Sequence, residues 1–500
     1  MASHSVSIDS SSPTGESKRP TYQKIGTVLG PVAFLVMLLI PSPDSLNPIA
    51  WSTAAVGVWM AIWWSCEAVN VSVTALLPLV LFPQLGILDI KAASAPYANP
   101  TIYLFLGGFM LALALQKANL HKRIAYFILS YVSRSARSIV LGFMLVSAIL
   151  SMWMTNTSTT MMLLPIALSI LSTMENEQSH FTAEQRKNFQ LSLLLGIAYA
   201  ATIGGMSTLV GTPPNAFLVG FMNDTYNVQL DFAKWMLIGI PLSIVLLPLA
   251  WILLTRWVYP VNFTTPDAAK SQLAEQRKAL GPIRKEEWRV GILFLAVALA
   301  WMTRPIVSKW FALEGLSDAG IAMTAAVLLF VIPNGKGTNA DTPALLSWED
   351  MKAIPWGILV LFGGGLSLAA AVSNTGLAQW LGEGLVNINV FGLLFLVLAA
   401  TTLVIFLTEL TSNLATAATF LPVVAVIALE MGSDPMTLIL PVTLAASCAF
   451  MLPVATPPNA IVFSSGYISI TQMARAGFVL NIVSILLVTA IAVWLAPLVF

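Results

Sequence analysis

Residues 155–165 read TNTSTTMMLLP, and residues 412–422 read SNLATAATFLP. Each stretch sets hydroxyls and an asparagine at the entrance to an apolar run that contains proline. Ser, Thr and Asn side chains compete for backbone hydrogen bonds, so such a knot interrupts a helix. Inside hydrocarbon, freed backbone groups are tolerated only where they line a cavity or are buried in protein. A second pair of motifs, GTPPNA at 211–216 and ATPPNA at 455–460, acts by another route. A Pro-Pro step cannot continue the preceding helix, yet it opens a new one that the Thr before it can cap. Each new helix points its partly positive N-terminal end into the gap. Four such ends converging on one point would hold an anion.

None of the four motifs contains Lys, Arg or His, and the three histidines, His4, His121 and His180, lie elsewhere. A dianion held only by hydroxyls, amides and helix ends is poorly neutralised, so bound cations are expected to supply the missing charge. Carbonyls at the breaks, with Ser151, Thr155, Asn156, Thr408 and Asn413, offer the hard neutral oxygens that suit Na⁺. A proton relay would need a chain of Asp, Glu or His. An enzyme would need a nucleophile–base pair or a metal cluster. The motifs carry neither, and an anion channel would show a polar stripe along a helix that is absent here. A lone polar TxxS step in a membrane helix is ordinarily packing glue. Two knots at matched positions, each paired with a TPPN break, favour a site. Glu67 and Glu409 read as acids within the membrane. Glu409 faces Met152 in the repeat described next, which makes it a structural carboxylate beside the site.

The elements that must position these residues follow from composition. The 500-residue chain is 57% hydrophobic and only 9% charged, against roughly a quarter charged in soluble domains. Most of its surface must therefore face lipid, and continuous runs such as PLSIVLLPLAWILL predict an all-α polytopic fold. About 11 transmembrane helices fit, each needing roughly 20 residues. The net charge of +1 gives no case for nucleic acid. Cys66 and Cys448 sit in apolar surroundings and read as buried thiols. Residues 1–24 are polar and Ser-rich, a disordered tail whose Lys18, Arg19 and Lys24 place the N-terminus in the cytoplasm.

The chain is duplicated. An offset of 257 superposes Gly107-Gly108 on Gly364-Gly365, Leu120 on Leu377, Thr155-Asn156 on Ser412-Asn413, Pro165 on Pro422 and Met174 on Met431. Past a longer loop in the first copy, an offset of 244 matches GTPPNA to ATPPNA. Lys117, Lys122, Arg123, Arg134 and Arg137 crowd one window, whereas its counterpart, 374–394, has no Lys or Arg. The positive-inside rule then sets the copies in opposite senses, the arrangement of secondary transporters. The basic stretch 254–291 fits a cytoplasmic connector. The glycine-rich runs 102–115 and 354–372 are expected to form re-entrant hairpins.

At these motifs the sequence resembles the divalent anion/sodium symporter family over about residues 25–500. That family carries two Ser-Asn-Thr motifs in inverted repeats, each with a hairpin and a Pro-Pro loop. The resemblance implies a homodimeric elevator-type transporter with scaffold and transport domains, in the inner (plasma) membrane. It implies Na⁺-coupled uptake of C4-dicarboxylates such as succinate, malate or fumarate. Citrate, sulfate and Na⁺-independent exchange on the same fold are the alternatives. No cofactor is implied, with Na⁺ as the coupling ion and lipid, substrate and a second copy as partners. Substrate contacts would fall on Thr155, Asn156, Thr157, Thr212, Pro213, Ser412, Asn413, Thr456 and Pro457. One sodium site would use Ser151, Thr155, Asn156 and Gly211, and the other Thr408, Thr411, Asn413 and Ala455. Thr155 replaces the usual Ser, and Leu414 replaces the usual Thr of the second motif. The implied layout is a tail (1–24), scaffold helices (25–95) and a first transport unit (96–222, with a scaffold helix near 121–150). Scaffold helices with a loop at 259–288 follow (223–352), then a second transport unit (353–473, with a scaffold helix near 380–405) and a last span (474–500).

Overall fold

The computed structural model describes residues 21–131, 135–176, 182–263, 267–313, 315–335, 344–384 and 392–500. Most of the predicted tail lies outside the described residues, as do Arg134, His180 and residues 385–391, but Thr21–Lys24 already belong to the first helix. Two apolar helices, α1 (Thr21–Leu39) and α2 (Pro48–Cys66), open the chain. The short α3 (Val71–Thr74), α4 (Leu77–Gln84) and α5 (Ile90–Ser94) follow. The first copy of the repeat comprises α6 (Pro100–Lys117), α7 (Leu120–Tyr131), α8 (Ala136–Ser151), α9 (Asn156–Asn176), α10 (Ala183–Gly205) and α11 (Pro213–Tyr226). Next come α12 (Phe232–Ile252), α13 (Asp267–Ala279) within the basic connector, α14 (Lys285–Phe311) and α15 (Asp318–Val331). The second copy is α16 (Trp356–Asn374), α17 (Leu377–Gly384), α18 (Leu393–Thr408), α19 (Asn413–Glu430), α20 (Met436–Ser447) and α21 (Pro457–Phe463), and α22 (Ile470–Ala490) follows.

The sequence offsets reappear as helix boundaries. Adding 257 to the limits of α8 gives those of α18, and the same step carries the start of α9 to that of α19. The step of 244 carries the start of α11 to that of α21. Even the turns agree: Asn119 (φ 58°) ends the α6–α7 turn, and its match Gly376 (φ 80°) ends α16–α17. One local sequence code, read twice, folds the same way twice.

The glycines do not break their helices. α6 is continuous through Gly107-Gly108 and α16 through Gly363–Gly365, so residues 102–115 and 354–372 are not hairpins. Their glycines instead let backbones touch. A side chain at Gly107 would strike the backbone of Ala322, and one at the matched Gly364 the backbone of Ala75. Small residues serve this close approach between helices in lipid.

The chain reverses instead at the polar knots. Gly196 faces Val140 and Met144, and Gly204 faces Ala148, so α8 and α10 run side by side in the same direction. Ser147 Oγ donates to the Ile197 carbonyl (2.7 Å) along the same seam. α9 joins the end of α8 to the start of α10, so it must run back between them. In the second copy Thr408, at the end of α18, donates to Ala446 near the end of α20 (2.9 Å). The hairpins are thus α8–α9 and α18–α19, with tips at 152–155 and 409–412. The stretches near 121–150 and 380–405 are accordingly not single helices; α8 and α18 are hairpin arms.

Eight helical segments among the described residues are long and apolar enough to cross a membrane, and five shorter apolar helices accompany them. α1 and α14 turn Val28, Leu35, Leu295 and Leu299 outward, as lipid-facing helices do. No strand occurs among the described residues; a single bridge joins Pro333 and Ala344. Cys448 is buried, Cys66 is half-buried, and both are free thiols.

Candidate functional site

Each hairpin tip ends against a broken helix. Beyond Gly205 the backbone leaves the helix and resumes at Pro213; beyond Ser447 it does so until Pro457. Carbonyls freed by a break need donors. Asn215 Nδ2 supplies them in the first copy, reaching the carbonyls of Thr208 (2.7 Å), Gly205 (3.3 Å) and Met206 (3.4 Å). Asn459, its match, donates to Leu452 (3.0 Å) and Ala449 (3.2 Å). The sequence reading singled out the Thr and Pro of TPPN and passed over this Asn, although it recurs in both motifs. The tip is tied to the break as well, since the Thr208 hydroxyl donates to the Met152 carbonyl.

The first turns of α9, α11, α19 and α21 meet around one cavity of 540 Å³, a size usual for small-molecule sites. All nine expected substrate residues line it: Thr155, Asn156, Thr157, Thr212, Pro213, Ser412, Asn413, Thr456 and Pro457. Gly211 and Ala455 line it too. The opposite wall is apolar, with Phe105, Phe109, Ile358 and Leu361 from α6 and α16. Glu67, in a left-handed conformation at the end of α2, is the single ionisable side chain among the lining residues. Positive potential for an anion must therefore be supplied by helix ends and oriented N–H groups. Leu414 lines one flank where its match Thr157 lines the other, so the two halves of the wall differ by one hydroxyl.

Two of the remaining expected ion ligands, Ser151 and Thr408, lie behind that wall. Ser151 and Thr408 are fully buried, and each donates to the asparagine five residues on: Ser151 to Asn156 Oδ1 (2.5 Å), Thr408 to Asn413 Oδ1 (2.9 Å). Asn156 Oδ1 and the Gly211 carbonyl both crowd over Gly205, where no side chain fits. Neutral oxygens from the tip and from the break thus converge behind the cavity in the first copy. Buried Asn215 Oδ1 and Asn459 Oδ1 have no hydrogen-bond donor among the described residues, and unpaired acceptors beside such clusters suit a hard cation. Thr411 stands apart. Its hydroxyl is paired with Thr416 (2.5 Å) and the Leu407 carbonyl (3.1 Å), and the repeat match of Thr155 is Ser412 rather than Thr411. No group of three or more His, Cys, Asp or Glu among the described residues could hold a transition metal.

A helical membrane protein with paired hairpins, two broken helices and a cavity at their junction has the anatomy of a secondary transporter. Residues 23–500 match the family described as the sodium:sulfate symporter transmembrane region, and the chain belongs to that family. It is 42% identical over 478 residues to the sodium-dependent dicarboxylate transporter SdcS of Staphylococcus saprophyticus, covering 95% of this chain and 92% of that protein. It is 40% identical over 486 residues to SdcS of Staphylococcus aureus strain MRSA252, covering 96% and 93%. Among solved structures it resembles the Alcanivorax borkumensis YdaH transporter, with a TM-score of 0.53 at 15% identity over 94% of this chain and 98% of that one. This last likeness concerns the fold alone.

Proposed function

We propose that the protein is a Na⁺-coupled symporter that carries C4-dicarboxylates such as succinate, malate or fumarate into the cell. One observation carries the reading: four helix N-terminal turns face a cavity lined by no Lys, Arg or His, with neutral oxygen clusters directly behind it. The helix ends attract the two carboxylates, and sodium at the clusters supplies the charge the side chains lack. The names of the SdcS relatives support the same assignment. Ser151, Thr155, Asn156 and Gly211 would hold one ion, and Thr408, Asn413 and Ala455 the other. With ions aboard, the charge of the substrate is offset, and the mobile unit can cross the bilayer as an elevator. Inverted repeats, a homodimeric scaffold and a cytoplasmic N-terminus belong to the same proposal.

The test is labelled succinate uptake into proteoliposomes under an inward Na⁺ gradient, against a choline control, with empty and with succinate-preloaded vesicles. Uptake that needs the gradient and no preload is the expected result. Uptake that needs preload and ignores Na⁺ would make the protein an exchanger and overturn the charge argument.

A further inference from the structure

The two halves of the site are alike in fold but differ in one charge. Glu409 sits at the tip of the second hairpin and is only 3% exposed; its match in the first tip is Met152. The Glu409 carboxylate accepts from four donors: Phe450 N (2.8 Å), Met451 N (2.9 and 3.0 Å to its two oxygens), Leu452 N (3.1 Å) and Asn481 Nδ2 (2.7 Å). It thereby takes over three consecutive backbone donors of the broken segment. Among the described residues, the corresponding segment of the first copy is held by neutral bonds. Met206 N and Ser207 N still bond helix carbonyls, Trp235 Nε1 donates to Met206 O, and Ser207 donates to Ser243. No Lys, Arg or His among the described residues is paired with Glu409. A buried carboxylate lacking a counter-charge is costly even when fully hydrogen-bonded. Thr408, its chain neighbour, is one of the oxygens of the second proposed cation site. The segment Glu409 grips runs through Leu452 to Ala455, another.

On the Na⁺-coupled reading above, we propose that Glu409 makes the two cation sites unequal. It positions the 450–455 segment that closes the second site, and it lends that site a fixed negative charge that the first site lacks. The second site then binds Na⁺ more tightly and fills first. Ordering of its tip and break precedes, and favours, binding at the first. Glu409 is a positioning residue, because it reaches the ion through backbone and field rather than by contact with substrate.

Two readouts test this on the full-length protein: the Na⁺ dependence of thermal unfolding without substrate, and the Na⁺ dependence of succinate uptake. Glu409→Gln should raise the Na⁺ midpoint of both at least about threefold, since removing a buried negative charge beside a cation site weakens cation binding. The apparent succinate affinity at saturating Na⁺ should shift less than the Na⁺ midpoint does. Asn481→Ala, which deletes one donor and leaves the charge, should move the midpoint in the same direction by less. Wild-type Na⁺ midpoints in variants that merely melt lower or transport less would overturn the proposal and leave Glu409 a brace. Should Glu409→Gln fail to fold, Glu409→Asp and Asn481→Ala decide by the same criterion. If the wild-type protein itself ignores Na⁺ in both assays, the symport reading falls and this proposal with it.

Discussion

At the scale of single residues, Asn156 and Asn413 carry the most weight. Each opens a helix, lines the cavity and accepts a hydrogen bond from a buried hydroxyl five residues earlier. Replacing either by Ala removes an oxygen that the proposed ion and substrate share. Charge-assisted bonds contribute about 1.5–3 kcal/mol, so apparent affinity should fall roughly 10- to 100-fold. Uptake by Asn156→Ala or Asn413→Ala at low succinate and low Na⁺ should then be undetectable, with expression unchanged. Wild-type-like uptake by either variant would displace the site from these residues. Composition made the Asn and hydroxyl knots conspicuous, because polar residues are rare in this chain. Asn215 and Asn459 escaped notice, since bracing a broken backbone shows only once the carbonyls they reach are in place. The grip of Glu409 on residues 450–452 was hidden likewise, its donors lying 41 to 43 residues further along the chain.

At the scale of elements, the lesson concerns glycine. Gly107 and Gly364 drew the expectation of broken hairpins because glycine is a poor helix former. The helices hold because their hydrogen bonds are internal, which hydrocarbon enforces, and because the bare Cα fits a neighbouring backbone. Gly107→Ala and Gly364→Ala should each destabilise the protein by about 1–3 kcal/mol, the range for overpacking, despite alanine's better helix propensity. Thermal unfolding in detergent checks this. A gain in stability at either position would show that the close approach is dispensable. Conversely, the arms α8 and α18 read as ordinary spans, since each is apolar and 16 residues long. Only their parallel seating against α10 and α20 marks them as arms of a returning hairpin.

At the scale of the whole molecule, the proposed inversion of the repeats can be tested with one matched pair of positions. Lys122 follows α6 and Gln379 follows α16, 257 residues later. With Cys66 and Cys448 replaced by Ser, a membrane-impermeant maleimide applied to cells should label Gln379→Cys and spare Lys122→Cys. Labelling of both from one side would mean that the copies run in the same sense. The sequence by itself determined the lipid-facing class, the duplication, the four polar breaks and the lack of basic residues among them. These depend on composition and local periodicity, which a linear chain carries openly. The tertiary structure alone decided where the chain turns back, that four helix ends share one cavity, and which backbone donors the buried Glu409 carboxylate grips. Those properties arise from contacts between segments far apart in sequence, where burial and the need to satisfy every backbone group select one packing among many that the local code permits.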